Sequence, residues 1–409
     1  MSTVKLTSES RVEATHHVLK PAQPQRLNFA VIGCGSMARA QHIPNLAQLP
    51  NARLLTCIDL DEAVLAELRE RYHGLKTGQD FHAAINDPEV HAICLATTEK
   101  LRLPVIEAAA RAGKPIYVEK PLARSLEEVY EIQKVVRRAG VAFCVGHNRR
   151  GSPAMLEAHD IFRRHMEHPA PCPWRFDRNS AERPRLSGDG VAGMSVRIND
   201  DWYSWKEWVF DTKQAPHGPM LFEMTHFTDM CNWFLADEPQ AVIALSHEPF
   251  NHGVVIRYRR GAMATISMSA NGTFGYPKEL YECFGNGGAV VIDHMLEIRT
   301  AGIAGAPDRK IYPMIHDRHP AVGAEGGVPG WLAKKRAACQ EAAAAGDSNL
   351  IFTAEPNKGH AAMLERFVEE IQGRGPVVCG VDEAVLATRV AFAAIQSAKE
   401  KRVVRLEEV

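Results

Sequence analysis

The sequence predicts an α/β protein: a doubly wound parallel sheet in the first third, then an α+β domain with mostly antiparallel strands. Three observations carry this. Short apolar runs without alternation take turns with helix-period segments between residues 27 and 145, the spacing of βαβ units. The first of these runs ends in Gly33-Cys34-Gly35, directly before a helical segment. From about residue 240 to 300 apolar and polar residues alternate between glycine turns, as antiparallel strands with one wet face require.

In chain order, residues 1–26 are polar, hold Pro21 and Pro24, and are read as an N-terminal arm lying on another surface or on a partner subunit. Residues 27–32 form a strand buried on both faces, followed by a helix at 37–49. A strand at 53–59, a helix at 62–72 and a strand at 92–96 come next. A helix at 104–112 closed by Gly113, a strand at 116–119, a helix at 126–139 closed by Gly140 and a strand at 142–145 complete a domain bounded at 27–149.

Residues 150–409 form the second domain. Its segment 151–215 is an insert, with a helix at 153–166 followed by long loops. Strands at 254–259, 262–269, 279–284 and 289–292 are separated by turns such as Arg260-Gly261 and 285–288. Residues 301–350 are loop-rich, with an Ala-rich stretch near Ala342. Amphipathic helices at 360–371 and 382–399 close the chain, the last placed to pack back on the first domain. There is no internal repeat.

The chain has 409 residues, which at roughly 150 per domain fits two domains with extras. Hydrophobic residues at 45% and charged residues at 24% are ordinary globular values. Lys plus Arg (48) against Asp plus Glu (49) leaves a net charge of −1, which excludes a nucleic-acid or anionic-membrane surface as the expected partner. No uncharged apolar run reaches the ~18 residues of a membrane span, and the first 26 residues lack the pattern of a leader. Nine scattered cysteines without a C-x-x-C pair read as reduced thiols of a cytoplasmic protein.

The most specific local signal is the G-x-G-x-x-A turn of Gly33, Gly35 and Ala38. The first glycine permits the tight turn, the second removes a side chain where a pyrophosphate approaches, and Ser36 and Met37 begin a helix whose free N–H groups face the phosphates. Asp59, at the end of the second strand, is placed to accept from an adenosine ribose diol. With no basic residue directly after it, NAD is expected rather than NADP.

Glu119-Lys120-Pro121 ends a later strand, where ligands bind in open α/β sheets. The Lys120 ammonium can stabilise a developing alkoxide; the alternative is a solvated lysine with Pro121 ending the strand. Glu223, His226 and Asp229 stand three apart, so on a helix neighbours share a face and a carboxylate beside His226 can orient it as a proton shuttle. A packing or capping role is the other reading of His226. A metal reading needs a second E-x-x-H pair and two further carboxylate helices, so no metal is expected. Residues 199–208 mix Trp202, Tyr203, Trp205 and Trp208 with amides and carboxylates, suited equally to a sugar face and to a subunit interface. Arg197 and Lys206 are expected to pair with nearby carboxylates.

Together with Val145-Gly146-His147-Asn148-Arg149-Arg150, these motifs resemble the Gfo/Idh/MocA oxidoreductases over about residues 27–150 and 216–400. The resemblance implies an N-terminal Rossmann domain, a C-terminal α/β domain whose large open antiparallel sheet forms a subunit interface in a dimer or tetramer, and a bound nicotinamide dinucleotide. It also implies secondary alcohols of sugars, cyclitols or related polyols as substrates. Lys120 matches the family's catalytic and substrate-binding lysine and His226 its catalytic histidine. With it, Thr97, Thr98, Arg102, Glu119 and Lys120 are expected at the cofactor, and Lys120, Asn148, Arg150, Trp202, Tyr203 and Asp229 at the substrate.

Two departures stand out. The acidic residue usual four before the histidine is here Phe222, with Glu223 three before. Thr98 and Arg102 stand where Pro and His are common, and His147 where Tyr or Phe is.

The expected activity is an NAD-dependent oxidoreductase moving hydride between a secondary hydroxyl of a sugar, glycoside or cyclitol and nicotinamide. Lys120 would polarise the hydroxyl and His226, with Glu223 beside it, would take its proton. The alternatives are a redox-neutral glycosidase or lyase using bound NAD for transient oxidation, and a non-enzymatic dinucleotide-sensing regulator.

Overall fold

The computed structural model describes residues 26–169, 191–201, 209, 211, 217–247, 250–273, 275–316, 326–346 and 354–409. Residues 1–25 of the N-terminal arm and the aromatic run 202–208, with Trp202, Tyr203 and Lys206, lie outside the described residues.

The first sheet contains β1 (Leu27–Ile32), β2 (Ala52–Ile58), β3 (Lys76–Gly78), β4 (Ala92–Leu95), β5 (Ile116–Val118) and β6 (Phe143–Val145), in the order β3-β2-β1-β4-β5-β6. All pairings are parallel. Helices α1 (Ile43–Gln48), α2 (Glu62–Arg71), α3 (Phe81–Asn86), α4 (Arg102–Arg111) and α5 (Leu126–Ala139) cross between them. The strand order reverses between β1 and β4, and the crevice at their carboxyl ends is where ligands bind in such sheets. The short β3 and α3 were not foreseen, because Lys76-Thr77-Gly78 carries no apolar run.

The second half contributes α6 (Pro153–Glu167), β7 (Gly193–Asn199), α7 (Gly218–Phe222), α8 (Met224–Leu235), β8 (Pro239–His247), β9 (Asn251–Tyr258) and β10 (Met263–Ser269). It continues with β11 (Glu279–Gly285), β12 (Gly288–Asp293), β13 (Glu297–Ala301), β14 (Arg309–Ile311) and the small pair β15 (Met314–His316) and β16 (Ala354–Pro356). Helices α9 (Gly327–Ala344), α10 (His360–Ile371), α11 (Val381–Glu400) and β17 (Val404–Arg405) finish the chain. Among the described residues the large sheet runs β14-β13-β12-β11-β7-β10-β9-β8-β17, antiparallel except for β7 beside β10.

The expectation of long loops after α6 is corrected by β7, which sits inside this sheet between β11 and β10. Met194, Val196 and Ile198 point into the core while Ser195 and Arg197 face outward. Arg197 donates to the Pro277 carbonyl at 2.7 Å and lies over the Tyr276 ring, not against the carboxylate expected for it. The loop-rich stretch 301–350 likewise contains a long helix, α9.

Each sheet has its own core, and α11 serves both. Ala384 and Val385 join the core of the parallel sheet with Met363, Leu364, Phe367 and Val368 of α10, whereas Val390, Ala393 and Ala394 join that of the second sheet. Where α10 starts, two backbones touch. Gly359 has φ +88°, and a Cβ there would lie 2.3 Å from the Gly151 carbonyl carbon and the Ser152 nitrogen. No helix among the described residues is long and apolar enough to cross a membrane.

Gly359→Ala is expected to destabilise the protein by ~2 kcal/mol or more, since it adds both a strained backbone and a collision. Thermal denaturation reads this as a melting temperature lowered by several degrees.

Candidate active site

The glycine turn at the end of β1 is shaped from both sides. Gly33 has φ +87°, and a Cβ there would lie 2.7 Å from the Thr97 nitrogen after β4, so no other residue fits. A Cβ on Gly35 would meet nothing within 4 Å, which leaves an open cradle beside exposed Ser36 and Met37. Asp59 Oδ2 accepts from the Cys34 N–H at 2.6 Å and Oδ1 from the Asp61 N–H at 3.0 Å. A carboxylate has about four lone-pair sites, so this half-buried group keeps capacity for a diol. The cradle and the acidic residue fit a pyrophosphate-bearing dinucleotide.

Of the other residues expected at the cofactor, Thr97 borders the turn and Thr98 starts the short helical turn that leads into α4. Arg102 departs from expectation. It is 3% exposed, pairs with Glu99 at 3.4 Å, and donates to the carbonyls of Thr97 (3.2 Å) and Lys120 (3.4 Å). Its side chain braces two strand ends instead of facing the cradle. The Glu119 carboxylate is likewise engaged inside the protein, 2.7 Å from His42 Nε2 and accepting from the Lys120 N–H at 3.2 Å. Burial works to raise the Glu119 carboxyl, but His42 and the Lys120 charge outweigh it and hold it at about 2.

Lys120 Nζ donates to the Phe222 carbonyl at 2.7 Å and stands 3.7 Å from Glu223 Oε2. Burial pulls its ammonium below the usual lysine range. Glu223 does not partner His226 as expected. The helix is interrupted there: α7 ends at Phe222, Glu223 has φ −114°, and α8 starts at Met224. The carboxylate accepts from Lys278 Nζ at 2.8 Å and lies 3.7 Å from Arg149. Against burial, Lys278, Lys120 and Arg149 hold it far below the carboxylate range, so it stays ionised. Lys278 also pairs with Asp200 at 2.7 Å, and Arg149 donates from Nε to Glu279 Oε2 at 2.8 Å.

His226 is buried, and its Nδ1 has no partner among the described residues. His147 meets it edge to face with ring centroids 5.8 Å apart. Burial, then the cations Arg149 and Lys120, hold His226 well below the usual histidine range. It is therefore a neutral imidazole at pH 7, able to take a proton.

Arg150 and Asp229, expected at the substrate, are instead bound to each other. Two bonds of 2.9 and 2.7 Å join them, Arg150 also donates to the Val378 carbonyl, and both are buried. Donor atoms of His147, Asp229 and Cys379 lie within 4.8 Å of one another, but the Arg150 cation already covers both Asp229 oxygens. Asn148 donates to the Lys358 carbonyl at 2.8 Å, a tie to α10. The structure thus brings Lys120, Glu223 and His226 together and uses Asn148, Arg150 and Asp229 to support them. Sequence reasoning missed Arg149, Lys278, Glu279, Asp200 and His42. Only Arg149 had a local signal, its place beside Arg150 at the end of β6.

Residues 27–147 match the family model described as "Oxidoreductase family, NAD-binding Rossmann fold", and residues 194–406 match "Oxidoreductase family, C-terminal alpha/beta domain". Myo-inositol 2-dehydrogenase of Thermotoga maritima is 23% identical over 395 residues, 94% of this chain and 99% of that protein. Levoglucosan dehydrogenase of Pseudarthrobacter phenanthrenivorans is 23% identical over 332 residues, 71% of this chain and 80% of that protein. The crystal structure of GenD2 from gentamicin A biosynthesis in complex with NAD shares the fold, with a TM-score of 0.67 at 20% identity over 95% of this chain and 99% of that one.

Acid should unfold the protein in two stages with the same sign. Burial lowers His147 and His159 to about 4, whereas unfolded histidine protonates near ~6.5, so stability is present above that value and is lost as pH falls toward 4. Glu119 and Glu279, held at about 2, extend the loss from the unfolded value near ~4.3 downward. Melting temperatures at constant ionic strength should decline from pH 7 to 4 and further below. His147→Gln should flatten the first stage by at most ~3 kcal/mol.

Proposed function

The chain belongs to the Gfo/Idh/MocA oxidoreductase family, and we propose that it oxidises a secondary hydroxyl of a neutral sugar or cyclitol with NAD as hydride acceptor. The observation that carries this reading is a half-buried lysine, Lys120, near a neutral His226 whose Nδ1 has no partner among the described residues. When bound, a nicotinamide dinucleotide supplies the acceptor for the hydride that leaves the carbinol carbon.

The protein's own residues do the rest. Lys120 donates to the substrate oxygen and stabilises the charge that grows on it as the C–H bond breaks. The His226 imidazole takes the hydroxyl proton and becomes imidazolium only during the reaction. Glu223, ionised among Lys278, Lys120 and Arg149, is too weak a base for that step and instead holds the Lys120 ammonium in place.

Charge balance favours a neutral substrate. Among the described residues Lys120, Arg149 and Lys278 are matched by Glu223, Glu279 and Asp200, which leaves no surplus cation of this cluster for a carboxylate ligand. The relatives that act on myo-inositol and levoglucosan support the same class. Asp59 favours NAD over NADP, whose 2′-phosphate would meet its carboxylate.

The large sheet supports a reading of the assembly. Its outer face exposes Ile243 (43%), Leu245 (71%) and Met263 (49%) along strands whose other faces fill the core. We infer that this face pairs with a second copy of the chain.

Following nicotinamide absorbance with myo-inositol, glucose and levoglucosan, each with NAD and with NADP, should give steady NADH production with one of them. Lys120→Ala and His226→Ala should each lower kcat by ~10²–10⁴-fold while NAD binding, read by calorimetry, persists. Cleavage of a glycoside with no net NADH would replace this reading with the redox-neutral one, and no dinucleotide binding would end both. Separately, Leu245→Asp with Ile243→Asp should shift the light-scattering mass to that of a monomer; an unchanged oligomer would place its interface elsewhere.

A further inference from the structure

The helix after the glycine turn opens irregularly. Ala38–His42 forms a π-turn, a rare irregularity frequently found at functional sites, before regular α1 begins. It places His42, a residue with no local functional signal, fully inside the protein 77 positions from its partner. His42 Nε2 lies 2.7 Å from Glu119 Oε1, and its ring meets Tyr117 edge to face with centroids 5.5 Å apart. The other Glu119 oxygen accepts the Lys120 N–H at 3.2 Å. Gly146 closes over the pair, where a Cβ would stand 3.1 Å from both Glu119 Oε1 and the Tyr117 hydroxyl.

We propose that His42 is a positioning residue for Lys120 and acts through Glu119, an inference that rests on reading Lys120 as the catalytic lysine. A buried carboxylate that loses one of its donors holds its charge less well, because burial penalises that charge. The His42 N–H keeps Glu119 ionised. That negative charge, one residue from Lys120, opposes the burial that would strip the lysine of its proton, and the bond to the Lys120 N–H fixes the backbone that aims the side chain.

Other titratable groups face the pair: Arg102 from α4, 3.4 Å from the Lys120 carbonyl, and His147 after β6, which is neutral. His42 from the π-turn, His360 from α10 and Lys120 itself act on Glu119. Glu119, Glu223, Arg149 and Lys278 act on Lys120, the two carboxylates stabilising its ammonium and the two cations opposing it. Removing the Glu119 charge therefore leaves Lys120 with Glu223 alone against two cations. The helix that begins at the dinucleotide cradle thereby supports the proton state of the lysine across the sheet.

Competitive acetylation of the full-length protein with acetic anhydride, read peptide by peptide by mass spectrometry across pH, gives the midpoint at which Lys120 loses its proton. Glu119→Gln removes the charge and keeps the shape, and should lower that midpoint by about one pH unit. His42→Leu should lower it in the same direction, by no more than Glu119→Gln does, because Glu119 loses the donor that best holds its charge. The double variant should shift no further than Glu119→Gln alone, and His42→Gln, which restores a donor, should return the midpoint toward wild type.

An unmoved midpoint in folded Glu119→Gln overturns the proposal, and that variant decides the question if His42→Leu fails to fold. Additive shifts in the double variant overturn it too. The labelling needs no turnover, so its outcome is separate from that of the catalytic reading. A fully active Lys120→Ala enzyme would overturn that reading, whereas shifted midpoints would still support the route from His42.

Discussion

Two consecutive arginines hold the molecule together at its centre. Arg149 and Arg150 follow the last parallel strand, both are buried, and each takes a carboxylate from the second half of the chain: Glu279 at the start of β11 and Asp229 in the middle of α8. A buried ion pair is weak evidence of net stability, since desolvation offsets much of the attraction. Losing one partner is costly, because it strands a charge. The consequence is geometric. The α8 segment that bears His226 and the strand that follows Lys278 can sit in only one place relative to the parallel sheet, and that place puts His226 beside Lys120.

Around this clamp the site sorts its titratable groups by environment. Carboxylates surrounded by cations remain charged and act as fixed counterions, whereas histidines without a carboxylate partner remain neutral. Two neutral imidazoles, His226 and His147, therefore stand among carboxylates and cations that keep their charge. Such a division of labour arises from burial and neighbours, not from residue type. It also explains why Glu223, whose sequence position invites a role as the orienter of histidine, serves a lysine instead.

The parts of the fold that depend on local pattern were legible in the sequence. α5 and α10 have the bounds their periodicity predicted, and β10 begins within one residue of the expected start. The glycine turn was legible because its chemistry is local. β7 was passed over although Met194, Val196 and Ile198 alternate cleanly, because it stands in a stretch otherwise rich in Pro, Gly and Arg. The site was legible only for residues inside contiguous motifs. Lys278 finds Glu223 across 55 positions and Arg149 finds Glu279 across 130, and no spacing rule reports such meetings. Arg102 and Arg150 show the same limit: an arginine near an expected site looks available in sequence, and only the structure shows the carbonyls or carboxylate that hold it.

The helix α11 carries a further meaning. One continuous rod contributes side chains to both cores, and the chain reaches it only after laying down every strand of the second sheet but the last, β17. The Rossmann half is therefore not finished when its last parallel strand leaves the ribosome. Its hydrophobic interior stays open until the final fifty residues arrive, so synthesis order and folding order are decoupled. Cutting the chain at the apparent domain boundary would yield a fragment with an uncovered apolar flank, and the two halves are better regarded as one cooperative unit with a shared keystone than as separable modules.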